Sequence, residues 1–207
     1  MSKQGTLYAV AAPSGTGKTT LVKALIESLP NITVSISHTT RPQRPAETHG
    51  INYYFIDENT FQTMVKHHDF LEYALVFNHH YGTSRSWVEK TLAQGVDVIL
   101  EIDWQGCLQI QRLFPDCISI FILPPSLTDL AKRLKNRAQD SAEVIQQRLF
   151  DAREAVSHIH HFNYVVMNVD FDTALNDLKI IVQANRLLQK KQPIALNKLL
   201  AEFTVSS

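Results

Sequence analysis

Residues 12–19 read A-P-S-G-T-G-K-T, the spacing G-x-x-x-x-G-K-[ST] with Ala12 in place of the first glycine. The chemistry open to such a segment is the holding of a polyphosphate. Gly15 and Gly17 permit backbone angles that turn successive N–H groups inward as an anion-binding nest. Lys18 supplies a mobile charge for β- and γ-phosphates, and the Thr19 hydroxyl suits Mg²⁺. The whole run Ala12, Pro13, Ser14, Gly15, Thr16, Gly17, Lys18, Thr19 and Thr20 is therefore expected around a nucleoside triphosphate. The competing reading is a Gly/Ser turn with a lone surface lysine. An apolar strand-like run before the loop and helical spacing of Leu21, Val22, Leu25, Ile26 and Leu29 after it favour the phosphate cradle.

Further along lie residues suited to a second ligand. Arg41 and Arg44, in the proline-stiffened R-P-Q-R-P, have the forks that grip phosphate oxygens, although a solvated basic loop has the same composition. Tyr53 and Tyr81 carry hydroxyls that would join them, or are ordinary half-buried strand and turn residues. Glu72, inside the apolar FLEYALVF, is either solvated or placed to accept two hydrogen bonds from an edge such as guanine N1–H and N2–H₂. Ser37 and Thr83 are then candidates for guanine O6 and N7. Glu101 and Asp103 end a buried run as E-I-D and are expected on one strand face, near a metal. Glu101 would otherwise cap a helix or pair with an arginine. Arg133, Arg137 and Arg148 flank a polar hairpin tip, either as exposed charges or as in-cis arginine fingers closing on a transferring phosphoryl group. His38, His49, His67, His68, His79, His80, His158, His160 and His161 lack the spacing of a metal site and read as surface residues.

The elements that must position these groups alternate. Strands are expected at 33–37, 52–56, 96–102, 118–123 and 164–167, and one or two strands at 70–77. Helices are expected at 58–67, 84–94, 104–114, 127–137, 142–157 and 171–190, an amphipathic turn or helix at 194–203, and a tight turn at 81–83. Strand–helix alternation predicts an α/β fold with a parallel sheet covered by helices. Short strands and loops interrupt it over 37–84, a small mixed α+β insertion. With 207 residues, there is enough chain for one such domain. Equal numbers of basic and acidic residues, 20 each, speak against nucleic acid or anionic membranes as partners. No apolar run approaches the roughly 18 residues of a membrane span. Cys107 and Cys117, without a CxxC pair, and an N-terminus MSKQGT without a signal pattern point to a reduced, cytoplasmic setting.

From about residue 5 to about 200 the chain resembles bacterial guanylate kinases. The resemblance rests on APSGTGKTT, SHTTRPQRPAETHGINYYF, FLEYALVFNHHYGTS, GVDVILEIDWQG, SIFILPPS and NVDFDTALNDL in that order. It implies a P-loop NTPase core at 5–36, 85–125 and 160–190, a GMP-binding insertion at 37–84, a helical lid at 126–159 and a tail at 191–207. The implied reaction is ATP + GMP ⇌ ADP + GDP with Mg²⁺, in purine nucleotide metabolism. By matched position Ser37, Glu72 and Thr83 resemble guanine readers, with Asp103 bordering them, and Arg41, Arg44, Tyr53 and Tyr81 resemble ligands of the GMP phosphate. Lys18 and Thr19 match ATP-phosphate and Mg²⁺ positions, with Glu101 as a further metal-side acid. Arg133, Arg137 and Arg148 match arginines of lid and hinge, and Asn168 a residue near the adenine. Departures are Ala12, Glu101 for the Asp of D-I-D, Asn136 and Ala138 for glycines of R-G-R-G, and Val169 for an acid of N-D-D. Two other readings stand beside this one: a kinase for another nucleotide or a ribose phosphate, and an inactive kinase-like module that binds proteins. The tail at 194–203 is expected to pack on its own core or, in a homo-oligomer, on another subunit.

Overall fold

A computed structural model describes residues 4–76, 78–136 and 142–204. Its centre is strand β1 (Leu7–Ala11), an uninterrupted apolar run buried at every position. Such a run suits a strand covered on both faces. Alternate residues serve opposite layers: Tyr8 and Val10 pack with Leu21, Leu25 and Leu178, whereas Leu7 and Ala9 pack with Val88, Leu92 and Ile110. The first layer is built by α1 (Lys18–Ser28) and α7 (Phe171–Arg186), the second by α3 (Arg85–Ala93) and α4 (Trp104–Leu113).

With β2 (Ile32–Val34), β7 (Asp97–Glu101), β8 (Ile118–Leu123) and β9 (Tyr164–Met167), β1 forms a five-stranded sheet in the order β2-β7-β1-β8-β9. Every pairing in it is parallel. The strand order reverses at β1, so the crevice beyond its carboxyl end is where a ligand is expected. Residues 12–17 emerge there.

A second sheet, ordered β4-β3-β6-β5, is mixed. It comprises β3 (His38–Thr39), β4 (Tyr54–Phe55), β5 (Phe70–Val76) and β6 (His79–Ser84), with α2 (Glu58–Lys66) alongside. The chain enters it at 36–38 and leaves it at 84–85. Those two crossings lie together: Ile36, His38 and Ser84 line one small cavity with Tyr54 and Trp87. A helical pair, α5 (Leu127–Asn136) and α6 (Ala142–Ser157), has its own small core of Leu130, Leu134 and Ala152. The chain continues through a 3-10 turn at Gln189–Lys191 into α8 (Pro193–Thr204). Among the described residues no helix is long and apolar enough to cross a membrane.

Several sequence expectations need correction. The expected strand 33–37 stops at Val34, because the chain must leave the parallel sheet to reach the second one. The strand expected at 52–56 keeps only two residues, Tyr54 and Phe55. There is no turn at 81–83: Tyr81, Gly82 and Thr83 belong to β6, and the left-handed residue is Asn78, with φ 61°. Gly82 is a packing requirement, since a Cβ there would lie 2.9 Å from the Phe70 ring. Asp103 is not on the strand with Glu101; β7 ends at Glu101 and Asp103 is the N-cap of α4, accepting the Gly106 N–H at 2.9 Å. The helix expected over 171–190 ends at Arg186. His38 is half-buried rather than an exposed surface residue: it stacks on Tyr54 at 4.8 Å, and its buried Nδ1 has no hydrogen-bond partner among the described residues.

Candidate functional site

The loop after β1 is shaped by two glycines in the left-handed region, Gly15 at φ 90° and Gly17 at φ 96°. Thr16 closes it, donating from both its hydroxyl (2.7 Å) and its N–H (3.3 Å) to the Pro13 carbonyl. Gly17 caps α1 without a side-chain hydrogen bond, so the first-turn N–H groups face outward for an anion. Ala12 packs against the apolar layer beneath the loop.

Two residues from distant chain positions brace this loop. Asn168, 6% exposed, donates its amide to the Thr16 carbonyl at 2.7 Å. Arg133, from α5, donates to the same carbonyl at 3.1 Å and to the Asn168 carbonyl at 3.3 Å. Because N–H and C=O of one trans peptide point opposite ways, holding the Thr16 carbonyl outward aims the Gly17 N–H inward. Arg133 thus rests on loop carbonyls in this conformation. Arg148 is half-buried on α6, while Arg137 and Ala138 lie outside the described residues.

Lys18 Nζ donates to the Ile102 carbonyl at 3.1 Å. Burial lowers its pKa, opposed by the nearby carboxylates of Glu101, Asp103 and Glu72. Thr19 Oγ1 donates to Glu101 Oε2 at 2.8 Å. That pair brings two hard oxygen donors to the mouth of the loop, the kind of sparse protein contribution Mg²⁺ accepts when phosphates and water supply the rest. The residues present therefore fit that ion.

On the second sheet, Glu72 and Thr83 are cross-strand partners. A register shift between Phe70 and Glu72 sets this pairing: Phe70 faces Ser84, yet Glu72 faces Thr83. The extra residue, Leu71, joins the apolar layer of the core. Glu72 is 4% exposed and accepts the Thr83 hydroxyl at 2.5 Å. Burial pushes its pKa up to about 7, with the Thr83 hydrogen bond and Lys18 pulling the other way and Asp103 adding to the rise. Asp103 is held by the Gly106 N–H and, at 3.0 Å, by the Gln105 amide. Ser37 is buried at the crossing between sheets, its carbonyl accepting the Tyr54 N–H at 2.9 Å.

Two residues along β6 from Thr83, and hence on the same face, is Tyr81. Its ring meets that of Tyr53 edge-on at 5.8 Å, and the Arg41 guanidinium lies 5.4 Å above the Tyr53 ring. Burial raises the Tyr53 pKa to about 12. The structure thus gathers Arg41, Tyr53 and Tyr81 into one cluster, Glu72 and Thr83 into a second, and Lys18, Thr19 and Glu101 into a third. Two participants escaped the sequence reading. Glu47 pairs with Arg41 at 2.7 Å; burial opposes its charge, but the Arg41 and Arg44 donors hold its pKa below the usual value. Gly106 lies against Glu72, where a Cβ would stand 2.5 Å from Oε2.

A family model described as guanylate kinase matches residues 4–185. The chain belongs to the guanylate kinase family. A guanylate kinase of Saccharophagus degradans is 54% identical over 93% of this chain and 94% of its own. One of Pseudomonas fluorescens is 54% identical over 96% of this chain and 97% of its own. Among solved structures, the guanylate kinase of Anaplasma phagocytophilum superposes with a TM-score of 0.83 at 28% identity, covering 99% of this chain and 98% of that one. Glu101, which bonds Thr19, thus serves a guanylate kinase-family loop from the end of β7.

Proposed function

We propose that the protein transfers the γ-phosphoryl group of ATP to GMP, giving ADP and GDP. The observation that carries this reading is the buried Glu72–Thr83 pair on a sheet facing the phosphate loop, within electrostatic reach of Lys18. A carboxylate with a single neutral partner there has capacity left for the two N–H donors of guanine.

In this reading residues 12–20 and Asn168 serve ATP: the backbone N–H groups and Lys18 hold its phosphates, while Asn168 and Arg133 keep the loop in shape. Ser37, Glu72, Thr83 and Asp103 read the guanine. Arg41, Arg44, Tyr53 and Tyr81 grip the GMP phosphate. Thr19 and Glu101 would hold Mg²⁺ beside the ATP phosphates, where the ion neutralises charge on their oxygens. A GMP phosphate oxygen forms the new bond to the γ-phosphorus as the bond to the β–γ bridging oxygen breaks, and ADP keeps that electron pair. The nucleophile is already anionic, so the protein's task is alignment and charge neutralisation rather than proton removal. Residues 37–84 act in this reading as the acceptor-binding insertion and 126–159 as a lid, whose Arg133, Arg137 and Arg148 would engage the phosphates on closure, Arg133 leaving the loop carbonyls it now holds, and exclude water. We assign the reaction to the cytoplasm, where buried thiols such as Cys107 and Cys117 stay reduced.

A coupled assay across GMP, AMP, CMP, UMP and ribose bisphosphate tests the acceptor. Turnover with GMP alone is expected; comparable rates with another acceptor would overturn the guanine assignment. Gly106→Ala provides an independent check. Its methyl would displace Glu72 Oε2, so KM for GMP should rise by about tenfold or more while KM for ATP stays put. Equal shifts in both constants would show a general disturbance instead.

A further inference from the structure

The loop that carries Arg41 and Arg44 is folded around a carboxylate. Glu47 Oε1 accepts from Arg41 Nη2 at 2.7 Å, and Oε2 accepts the Arg44 backbone N–H at 3.0 Å. The backbone closes the same ring, with the Glu47 N–H donating to the Arg44 carbonyl at 3.0 Å. The Gln43 amide donates to the Glu47 carbonyl at 2.5 Å. The paired side chains are sheltered, Arg41 12% and Glu47 16% exposed. Arg41 Nη1 donates in addition to the Pro42 carbonyl at 2.9 Å, and the Tyr53 ring lies beneath the guanidinium.

These contacts set the plane and position of the Arg41 fork before any ligand arrives. A guanidinium has five N–H groups, and those not engaged by Glu47, Pro42 and the Tyr81 hydroxyl are left for another oxyanion. The carboxylate also stands between two cations only three residues apart, so their mutual repulsion does not splay the loop. A fork held this way loses little side-chain freedom on binding.

We propose that Glu47 is a positioning residue for the acceptor's phosphate, fixing Arg41 and the Arg44 backbone without touching the substrate. The proposal rests on the reading of Arg41 and Arg44 as ligands of the GMP phosphate. It is tested with Glu47→Ala, Glu47→Gln and, as a reference, Arg41→Ala, by measuring affinity for GMP and inhibition by guanosine, which lacks the phosphate. KM for ATP at saturating GMP is measured alongside. Glu47→Ala should weaken GMP about tenfold with guanosine unchanged, the loss of one charge-assisted contact. Glu47→Gln, which keeps an oxygen for the Arg44 N–H, should weaken it about threefold. KM for ATP should not move in either variant. Equal weakening of GMP and guanosine would reduce Glu47 to a structural residue, and tighter GMP binding would make it a competitor of the phosphate; both overturn the proposal. If Arg41→Ala lowers the GMP-to-guanosine preference and Glu47→Ala does not, the role of Glu47 alone falls. If Arg41→Ala leaves that preference intact, the phosphate-site reading falls, and the proposal with it.

Discussion

Lys18→Ala should leave the fold standing and lower kcat on the order of 100- to 1,000-fold, with KM for GMP little changed. The magnitude is that of losing one preorganised charge aimed at a transferring group. Lys18 Nζ has its hydrogen bond at the carbonyl of Ile102, just past the end of β7, so its removal strips no packing layer. The carboxylates of Glu101, Asp103 and Glu72 around it would lose their counter-charge, which ATP binding then has to overcome as well. Steady-state kinetics with a thermal melt checks both halves. Near-normal turnover would remove the loop from the reaction; an unfolded variant would mean the lysine holds the core together.

Glu72→Gln should separate the two substrates and, unusually for an active-site change, stabilise the ligand-free protein. An amide presents an N–H₂ where guanine also presents donors, so GMP affinity should fall by about 100-fold or more while ATP affinity is unchanged. The pH behaviour follows from the raised pKa. Glu72 moves from 4.5 to about 7 in the folded protein, so the associated stability is fully present below pH 4.5 and lost as pH rises through 7. At pH 8 the buried charge costs on the order of 3 kcal/mol, which the neutral amide avoids. The variant should therefore unfold at a higher temperature than the parent at pH 8, the difference closing toward pH 4.5. GMP binding by the parent should weaken as pH falls below 7, because the guanine donors need the carboxylate. A variant that loses GMP and ATP together, or a pH-independent difference in unfolding temperature, would contradict the role given to Glu72.

The parts of the molecule that were legible in the sequence are those governed by local pattern. The buried run of β1, the glycines of the loop and the helical spacing of α1 are neighbours in the chain, and together they announce the strand–loop–helix that the structure shows. Patterns misled where one residue type serves two purposes. Gly82 reads as a turn former, yet it is a strand residue kept small by Phe70; the actual turn uses Asn78. Asp103 reads as the second acid of a strand, but an aspartate after a strand also makes a good N-cap, and α4 begins there. Contacts between distant positions were out of reach. The Asn168 bond to the Thr16 carbonyl spans 152 positions, and nothing in N-V-D-F-D announces it. Glu47 stands within sight of both arginines, but only the folded loop shows that its two oxygens reach one side chain and one backbone N–H.

The cavity lined by Ile36, His38 and Ser84 marks the place where the chain leaves the parallel sheet and comes back. His38 pairs with Gly82 across β3 and β6, so exit and return run side by side. An inserted segment whose ends meet is topologically a cassette: β2 could run on to α3 through a short connection with the order β2-β7-β1-β8-β9 undisturbed. Under the proposed function, donor handling would belong to the permanent frame, and the grip on the acceptor's phosphate with most of its base readers to a detachable unit. Changes of acceptor would then be open to evolution, or to grafting, as an exchange between residues 36 and 85, with Asp103 and Gly106 at the start of α4 adjusted to match, that leaves the scaffold's connectivity intact.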